Sequence, residues 1–323
     1  MLSRMNYSLT QLEYVMAVYK FGHFAKAAKE CQITQPTLSM QIQKFEANLG
    51  IVIFDRSKKP ILTTDIGQKL IGQIQAILFE AKKIESIIAQ GLSGLATEGK
   101  LRVGVIPTIA PYLLPKLLPT LEKSFSGIEL TILELQTHRI IETLGVDDID
   151  VGILATPLKL PQVFEFPLYY EPFSVLCQKS HELASFKRVK YSLLKGDDLW
   201  LLGEGHCLRH QMLDVCSLKN QKMGTQKRKF EFESGNLETL KALVDQYGGY
   251  TLLPAMAAEL IQGNSTTVPF DRPIPSREIG LVHRREHHKK ELIEALGEAI
   301  LQAIPDSIKN IRKKDLDVLP ITN

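Results

Sequence analysis

The feature that most constrains this chain is an amphipathic stretch that begins at Thr64 and ends at Gly91. Apolar residues recur along it at the spacing of one helix face for about seven turns. They are Ile66, Leu70, Ile74, Ile77, Leu78, Ala81, Ile84 and Ile88. A small N-terminal unit cannot cover so long a stripe, so the pattern predicts that two copies of the chain pair along this helix.

The stretch separates a basic N-terminal part from a near-neutral remainder. Residues 1–63 hold eight lysines and arginines against four acids, an excess of four, while the net charge of all 323 residues is +3. A small basic domain is typical of proteins that bind a polyanion. An ordinary charged surface has the same composition, so charge alone leaves both interpretations open.

Residue spacing predicts a compact helical unit in this N-terminal part. The predicted elements are a helix with apolar residues at positions 9–19, a short helix at 24–31, a three-residue turn at 32–34 and a helix at 35–49. Thr34 is placed to cap the last helix, Pro36 fits its first turn, and Gly50 ends it. A short helix, a tight turn and a longer helix form a helix-turn-helix.

The last of these helices presents polar side chains that can bond to base edges or phosphates. The candidate DNA-contacting residues on it are Gln35, Pro36, Thr37, Ser39 and Gln43. A strand at residues 52–54, a basic turn and a returning strand from Ile61 follow, and together they predict a two-stranded wing. Arg56, Lys58 and Lys59 at the tip of this wing are the candidate phosphate contacts.

Beyond a glycine-containing hinge at residues 92–99, strands and helices alternate as far as residue 305. Alternation over about 200 residues predicts one or two parallel-type sheets covered by helices. Strands are predicted at residues 173–177 and 199–202 among others, and a helix at residues 207–218. The predicted organisation is a DNA-binding domain at 5–63, a dimerisation helix at 64–91, the hinge, an α/β domain at 100–305 and a loose, charged tail at 306–323.

Composition excludes several classes of protein. Hydrophobic residues make up 44% of the chain and charged residues 23%, which is typical of a globular protein. No apolar run reaches the ~18 residues of a membrane span, and the N-terminus lacks an apolar signal core, so we expect a cytoplasmic protein. Four cysteines are too few for a disulfide scaffold, so the close pair Cys207 and Cys216 favours a catalytic, regulatory or metal-binding role. The histidine cluster at residues 283–288 lacks a suitably spaced third ligand, so neither a metal nor a cofactor is expected.

Three motifs in the N-terminal part resemble those of the LysR-type transcriptional regulators. The resemblance lies in residues 34–50, in Phe54-x-Arg56 and in Leu62-Thr63-x-x-x-Gly67. It implies an α+β multidomain protein with an N-terminal winged helix-turn-helix, a long dimerisation linker helix and a C-terminal regulatory domain. That domain would consist of two Rossmann-like α/β subdomains, similar to a periplasmic binding protein, with an effector site in the cleft between them.

Within that family the sequence Gly205-His206-Cys207-Leu208-Arg209, followed by Cys216, resembles a branch whose members sense hydrogen peroxide. Further similarity to the branch lies in residues 106–108, 111–115, 136–138, 237–240 and 251–254. The resemblance implies that peroxide oxidises Cys207 to a sulfenic acid and that Cys216 then forms a disulfide with it. It also implies that Thr108 and Thr137 polarise the peroxide.

Reaction with peroxide requires a thiolate, because the protonated thiol is a poor nucleophile. Cys207 is predicted in the first turn of a helix, where backbone N–H groups and the helix dipole favour an anion. His206 and Arg209 are placed to add positive charge or hydrogen-bond donors, and Arg277 is a further candidate for the same pocket. The chain departs from the branch at three positions that bear on this tuning: an acid is usual at His210, and basic residues at Glu231 and Glu233.

The spacing of the two cysteines sets a requirement on the mechanism. Nine residues on one helix rise ~13 Å, whereas a disulfide needs Cα atoms within ~7 Å. The helix must therefore partly unwind before Cys216 can reach Cys207, and the rearranged segment would be a bistable element that moves the DNA-binding units. Cys31 and Cys177 lie among apolar residues and are predicted to be inert.

The predicted function is a peroxide-sensing transcriptional regulator of oxidative-stress genes, and not an enzyme. The predicted partners are double-stranded DNA at promoter sites, hydrogen peroxide as the signal, further copies of the chain in a dimer or tetramer, and RNA polymerase, with no membrane. Two alternatives remain open: a LysR-type regulator that binds a small metabolite in its cleft, and a thiol peroxidase, which has no use for residues 9–63. A transcriptional response that survives loss of Cys207 favours the metabolite-binding regulator. An assay of catalytic turnover of peroxide distinguishes the thiol peroxidase.

Overall fold

The computed structural model describes residues 6–93, 99–124, 127–216, 234–261, 263–285 and 289–321. The chain divides into two compact units, residues 1–94 and residues 95–323. Most of the predicted hinge, together with Glu231 and Glu233, lies outside the described residues. None of the helices in the described ranges has the length and apolar character that crossing a membrane requires.

The N-terminal unit contains the predicted helix-turn-helix and wing. Its elements are α1 (Leu9–Phe21), α2 (Phe24–Glu30), α3 (Gln35–Leu49), β1 (Phe54–Asp55), β2 (Leu62–Thr63) and α4 (Asp65–Ser93). The Thr34 side chain accepts a hydrogen bond from the Thr37 backbone N–H, and Gly50 ends α3 in a left-handed conformation with φ of 67°. The predicted caps of the third helix are therefore confirmed.

The wing is shorter than predicted, and its first strand begins two residues later. Glu46 on α3 explains the difference, because its Oε1 accepts the backbone N–H groups of Ile53 (2.8 Å) and Phe54 (3.3 Å). Strands β1 and β2 pair antiparallel, with Phe54 opposite Thr63. Gly67 of α4 passes so close to the wing that a Cβ there would lie 2.3 Å from the Ile53 carbonyl oxygen, so only glycine fits.

Helix α4 buries part of its apolar stripe within its own unit, in line with the expectation that the small unit cannot cover the whole stripe. Ile71 and Ile74 are buried in the core of the unit, and Leu70, Ile77 and Leu78 pack against that core. Two other stripe residues remain exposed, Ile66 at 46% and Ile84 at 62%. The small unit therefore covers only part of the stripe and leaves apolar surface exposed at Ile66 and Ile84.

The C-terminal unit is a mixed α/β structure. Its strands are β3 (Gly99–Val105), β4 (Ile128–Glu134), β5 (Val151–Thr156), β6 (Val163–Gln178), β7 (Tyr250–Pro254), β8 (Ser265–Pro269), β9 (Ile274–Arg284) and β10 (Leu316–Val318). Its helices are α5 (Ala110–Ser124), α6 (Thr137–Gly145), α7 (Cys207–Val215), α8 (Leu237–Tyr247), α9 (Ala255–Ala258), α10 (Lys290–Ala303) and α11 (Asp306–Lys309).

These strands form two sheet regions that share β6. In the first region the order is β4-β3-β5-β9-β6, with β3 parallel to β4 and β5. In the second region the C-terminal half of β6 lies between β7 and β8 and is antiparallel to both. The sheet is therefore mixed, because β6 and β9 run antiparallel to each other along the line that joins the two halves. The fold class of two α/β halves is confirmed, and the purely parallel sheet is not.

Two predicted strands need correction. The strand predicted at residues 173–177 is only the end of β6, which begins at Val163. The predicted strand at residues 199–202 is absent, and in its place single bridges join Leu199 to Tyr250 and Leu202 to Ser234. The side chains of residues 199–202 are all buried, so the segment has the apolar signature of a strand without a continuous ladder.

The C-terminal tail is not loose, which contradicts the prediction. Helix α11 buries Ile308, and β10 pairs parallel with the start of β9, with Leu316 opposite Ile274. The Tyr191 hydroxyl donates to Asp317 Oδ2 at 3.0 Å, and Leu319 is buried beyond the strand. Scattered apolar residues anchor this segment despite its high charge.

Candidate functional site

Cys207 is held at the start of α7 by a turn that requires glycine. Gly205 has a φ of 85°, and a Cβ there would lie 2.9 Å from the Gln136 side-chain oxygen. The turn places His206 at the N-cap and Cys207 at the first helical position, as predicted. Cys207 is half-buried, and all four cysteines of the chain are free thiols, so the structure is the reduced state.

The hydroxyl of Thr137 contacts the Cys207 thiol directly. Thr137 is the first residue of α6, and its Oγ1 lies 3.1 Å from Cys207 Sγ. Burial raises the pKa of Cys207 above its ordinary value, while the Thr137 hydrogen bond and the charge of Arg277 lower it by less. Burial therefore outweighs the thiolate preference that the helix start was predicted to give. Thr137 and Arg277 stabilise the thiolate and so oppose the effect of burial.

Arg277 and Thr108 form a second, fully buried cluster with an acid that sequence analysis missed. The Arg277 side chain is 1% exposed and donates to Glu171 Oε2 from Nε (2.9 Å) and Nη2 (2.7 Å). Its Nη1 donates to Thr108 Oγ1 at 2.8 Å, and its Nη2 to the Thr108 carbonyl at 3.2 Å. Because Thr108 Oγ1 accepts from Arg277, the hydroxyl proton of Thr108 remains to be donated elsewhere.

A cross-strand position explains why Glu171 belongs to this cluster. Glu171 of β6 lies opposite Arg277 of β9 in the antiparallel register. In the sequence, Glu171 stands out as an acid between aromatic residues and proline. That pattern does not show that its partner is Arg277. The hydroxyl of nearby Tyr169 is buried and has no hydrogen-bond partner among the described residues, and burial raises the pKa of Tyr169.

His206 and Arg209, which were predicted to add positive charge or hydrogen-bond donors, have partners within the C-terminal unit. His206 is 5% exposed, its Nε2 lies 3.4 Å from Gln136 Nε2, and burial lowers the pKa of His206, which keeps it neutral. Arg209 donates from Nη1 to the Leu202 carbonyl at 2.5 Å and ties α7 to the preceding segment. His206 is thus a neutral donor or acceptor, and Arg209 supports the local backbone.

Cys216 lies at the opposite end of α7, immediately after its last helical residue. It is 4% exposed, and its Sγ lies 3.8 Å from the Tyr250 hydroxyl, which itself donates to the Lys195 carbonyl. Burial raises the pKa of Cys216 to about 11, so this thiol is protonated in the reduced fold. Helix α7 ends at Val215, whereas the predicted end was residue 218, which lies outside the described ranges.

Of the other two cysteines, Cys177 lies in β6 opposite Tyr250 of β7, and Cys31 lies in the N-terminal unit. Burial raises the pKa of Cys177 to about 11 within β6, and burial also raises the pKa of Cys31. Within the described ranges, no group of histidine, cysteine and acidic side chains is arranged to hold a metal ion.

Two segments that resemble the peroxide-sensing branch, residues 111–115 and 237–240, contact each other in the C-terminal unit. The Tyr112 hydroxyl and Lys241 Nζ both donate to Glu238 Oε1, at 2.5 Å and 2.9 Å. These residues line an open cavity of about 460 Å³ between α5 and α8. The segments therefore tie two helices of the C-terminal unit together across a long sequence separation.

On the N-terminal unit, the predicted DNA-contacting residues of the helix-turn-helix lie along α3. Gln35, Pro36, Thr37 and Gln43 are exposed and Ser39 is half-buried. Lys58 and Lys59 are exposed in the wing, as predicted.

Arg56 has partners within the protein. Its Nη2 pairs with Glu46 Oε2 at 2.7 Å, its Nη1 donates to Ser39 Oγ at 3.3 Å, and its guanidinium stacks on the Phe24 ring. Arg56 thus holds the wing against α3, and this role comes in addition to the phosphate contact that was predicted.

These two units define a class of protein. A winged helix-turn-helix with a polar recognition surface and a basic wing is a DNA-binding module. The second unit has the two-lobed α/β architecture of ligand-sensing domains and holds two thiols at the ends of one helix. The class is a DNA-binding transcriptional regulator with a cysteine-containing sensor domain.

Comparison with known proteins identifies the family. Residues 9–68 match the model of the bacterial regulatory helix-turn-helix protein of the lysR family, and residues 96–305 match the LysR substrate binding domain. The chain is 35% identical over 295 residues to a hydrogen peroxide-inducible genes activator of Dickeya chrysanthemi, covering 91% of this chain and 94% of that one. Identity and coverage are the same for the Escherichia coli K12 DNA-binding transcriptional dual regulator OxyR.

Solved structures give the same result. A full-length Pseudomonas aeruginosa OxyR with a cysteine-to-aspartate substitution has a TM-score of 0.78 and 31% identity, and covers 96% of this chain and 99% of that one. A Corynebacterium glutamicum OxyR with a cysteine-to-serine substitution, bound to H2O2, has a TM-score of 0.61 and 30% identity, covering 93% and 94%. The chain belongs to the LysR family of transcriptional regulators and, within it, to the OxyR branch.

Proposed function

We propose that this chain is a transcriptional regulator that senses hydrogen peroxide through Cys207 and Cys216, and that it is not an enzyme. The observation that carries the proposal is the position of Cys207, which contacts the Thr137 hydroxyl at 3.1 Å and begins a helix that ends beside Cys216. The names of its relatives, which are hydrogen peroxide-inducible genes activators, support the same chemistry.

The first step is oxidation of Cys207. Its thiolate attacks one oxygen of H2O2, the O–O bond breaks, and hydroxide leaves while the sulfur becomes a sulfenic acid. Donors aimed at the two oxygens lower this barrier because negative charge develops there. Thr137 contacts the sulfur, and Thr108, oriented by Arg277, has a hydroxyl proton available for the leaving oxygen.

The second step joins the two cysteines. The Cys216 sulfur attacks the Cys207 sulfur, the S–O bond breaks, and the thiol proton and the hydroxyl leave as water. The nine residues of α7 rise ~13 Å, so the helix must open to bring the two Cα atoms within ~7 Å. Cys216 must also leave its position beside Tyr250, where burial keeps it protonated.

The N-terminal unit supplies the DNA contacts in this proposal. The exposed surface of α3 enters the major groove of double-stranded promoter DNA, and the wing lysines contact phosphates. The exposed apolar part of α4 pairs two chains into a dimer, and two dimers assemble into a tetramer that places helix-turn-helix units on successive half-sites. RNA polymerase is a further partner, and the cytoplasm is the compartment.

The test is a peroxide response measured on DNA. Fragments enriched by the purified wild-type chain are used for footprinting with and without peroxide, alongside Cys207→Ser and the matched control Cys177→Ser. We expect Cys177→Ser to change its footprint as the wild type does and Cys207→Ser to bind the same DNA without responding. A Cys207→Ser protein that responds normally would favour a metabolite sensor and overturn the proposal.

A further inference from the structure

The N-terminus of helix α7 has no side-chain cap. Its N-cap residue His206 makes no side-chain capping hydrogen bond, whereas Asn236 caps α8 by accepting the Glu238 backbone N–H. Asp214 lies in the last turn of α7, next to the negative end of the helix dipole, where an acid is unfavourable. The helix has only nine residues, so its stability depends on the side chains that it buries.

One of those buried side chains is unfavourable. Gln211 is 0% exposed and lies on the inner face of α7 with Leu208 and Met212, one turn after Cys207. Neither its Nε2 nor its Oε1 has a hydrogen-bond partner in the part of the chain that the structure describes. An amide that exchanges water for an apolar environment without new hydrogen bonds destabilises the fold that buries it.

The opened form of the segment removes this cost. When α7 unwinds, the Gln211 amide regains hydrogen bonds to water, while an apolar residue at this position would lose favourable burial. The side chain therefore shifts the balance between the helix and the opened segment toward opening. This position differs from Leu208 and Met212, whose burial stabilises the helix.

We propose that Gln211 is a built-in destabilising residue that sets how readily α7 opens for the Cys207–Cys216 disulfide. The inference rests on the proposed function, because it concerns the same helix opening. In this proposal Gln211 acts through the stability of the dithiol form and takes no part in the reaction of Cys207. Its predicted effect is on the disulfide equilibrium and on the resolving step, and not on the reaction of Cys207 with peroxide.

The experiment compares Gln211→Met, which keeps the length of the side chain and removes the amide, with the control Met212→Leu on the same buried face. Each full-length protein is equilibrated with oxidised and reduced glutathione, where the two thiols and one glutathione disulfide yield the protein disulfide and two reduced glutathiones. We expect the equilibrium constant for the disulfide to fall about tenfold or more in Gln211→Met. It should change less than about threefold in Met212→Leu, a volume-conserving substitution.

The rate constant for peroxide oxidation of Cys207 is measured on the same proteins, and Gln211→Met should match the wild type. If the wild-type Cys207 is not oxidised at all, the proposed function fails. If Cys207 is oxidised normally but Gln211→Met leaves the disulfide equilibrium unchanged or favours the disulfide, only the Gln211 inference fails.

Hydrogen exchange on the reduced wild type tests the same idea without a substitution. Backbone amides of α7 should exchange faster than those of α8, which has a capping side chain and buries apolar residues along one face. Slower exchange in α7 than in α8 would overturn the inference even if Gln211→Met failed to fold.

Discussion

At the scale of single residues, the reactivity of Cys207 results from opposing effects. Burial raises the pKa of its thiol, and the Thr137 hydroxyl and the Arg277 charge oppose that rise. Thr108 is held by Arg277, which in turn is held by Glu171 in a buried ion pair. The Thr108 hydroxyl is therefore held in place by a buried ion pair, as stabilisation of a developing charge requires.

This balance predicts the pH dependence of Cys207 oxidation. The thiolate is the nucleophile and burial raises the pKa of Cys207 above its ordinary value, so the second-order rate constant should keep rising with pH through neutral pH, about tenfold per pH unit. Thr137→Val removes a hydrogen bond that lowers the pKa, so its profile should shift to higher pH and its rate at pH 7 should fall.

Stopped-flow oxidation of each reduced protein across this pH range measures both effects. Thr143→Val is the matched control, because Thr143 is on the same helix and its hydroxyl donates to backbone carbonyls of α6. A wild-type rate that is already level below pH 7 would contradict the raised pKa.

The sequence predicted which residues come together at this site better than it predicted their protonation and their hydrogen-bond partners. The structure places Thr137 against Cys207 and Arg277 against Thr108, while Cys216 lies at the far end of α7. The roles of these residues in sensing stay predictions from side-chain type and resemblance. The neutrality of His206 depends on burial, and the Glu171 contact depends on the register of two strands that are far apart in the chain. Neither burial nor strand register is encoded locally.

At the scale of elements, hydrogen bonds and an ion pair join the wing to α3. Glu46 accepts two backbone N–H groups of the wing and the Arg56 guanidinium, while Arg56 also reaches Ser39 on α3. Contacts between these elements therefore orient the exposed lysines at the wing tip relative to the recognition helix.

The arrangement predicts how the wing contributes to DNA binding. Replacing Lys58 and Lys59 together by alanine should weaken binding to all DNA sequences and reduce the salt slope of the binding constant by roughly one for each lost phosphate contact. The control is Lys100→Ala, which removes an exposed charge from the C-terminal unit. Titrations at several salt concentrations measure the slope, and an unchanged slope in the double variant would remove the wing from the interface.

Element boundaries were predictable wherever a local signal defines them. Thr34 and Gly50 delimit α3 because capping geometry involves only neighbouring residues. Features that depend on a partner strand distant in sequence were not predictable. They are the first half of β6, the absence of a strand at residues 199–202 and the pairing of β10. The charged composition of the tail concealed Ile308 and Leu319, which anchor it.

At the scale of the whole molecule, distant segments converge because of the sheet topology. Strands β3 and β4 are parallel neighbours, and Thr108 and Thr137 follow their carboxyl ends. Such sheet edges are where ligands bind in open α/β folds. The Cys207 turn meets Thr137 there, while β9 brings Arg277 to Thr108, so the four residues need the complete C-terminal unit and not a local motif.

The central claim is that peroxide converts Cys207 and Cys216 into a disulfide. The most direct measurement is mass spectrometry of the full-length reduced protein, alkylated before and after one equivalent of hydrogen peroxide. We predict a cross-linked peptide pair containing Cys207 and Cys216, with the loss of two hydrogen atoms, while Cys31 and Cys177 remain alkylated. Oxidation confined to Cys31 or Cys177, or full alkylation of Cys207 and Cys216 after the pulse, would contradict it.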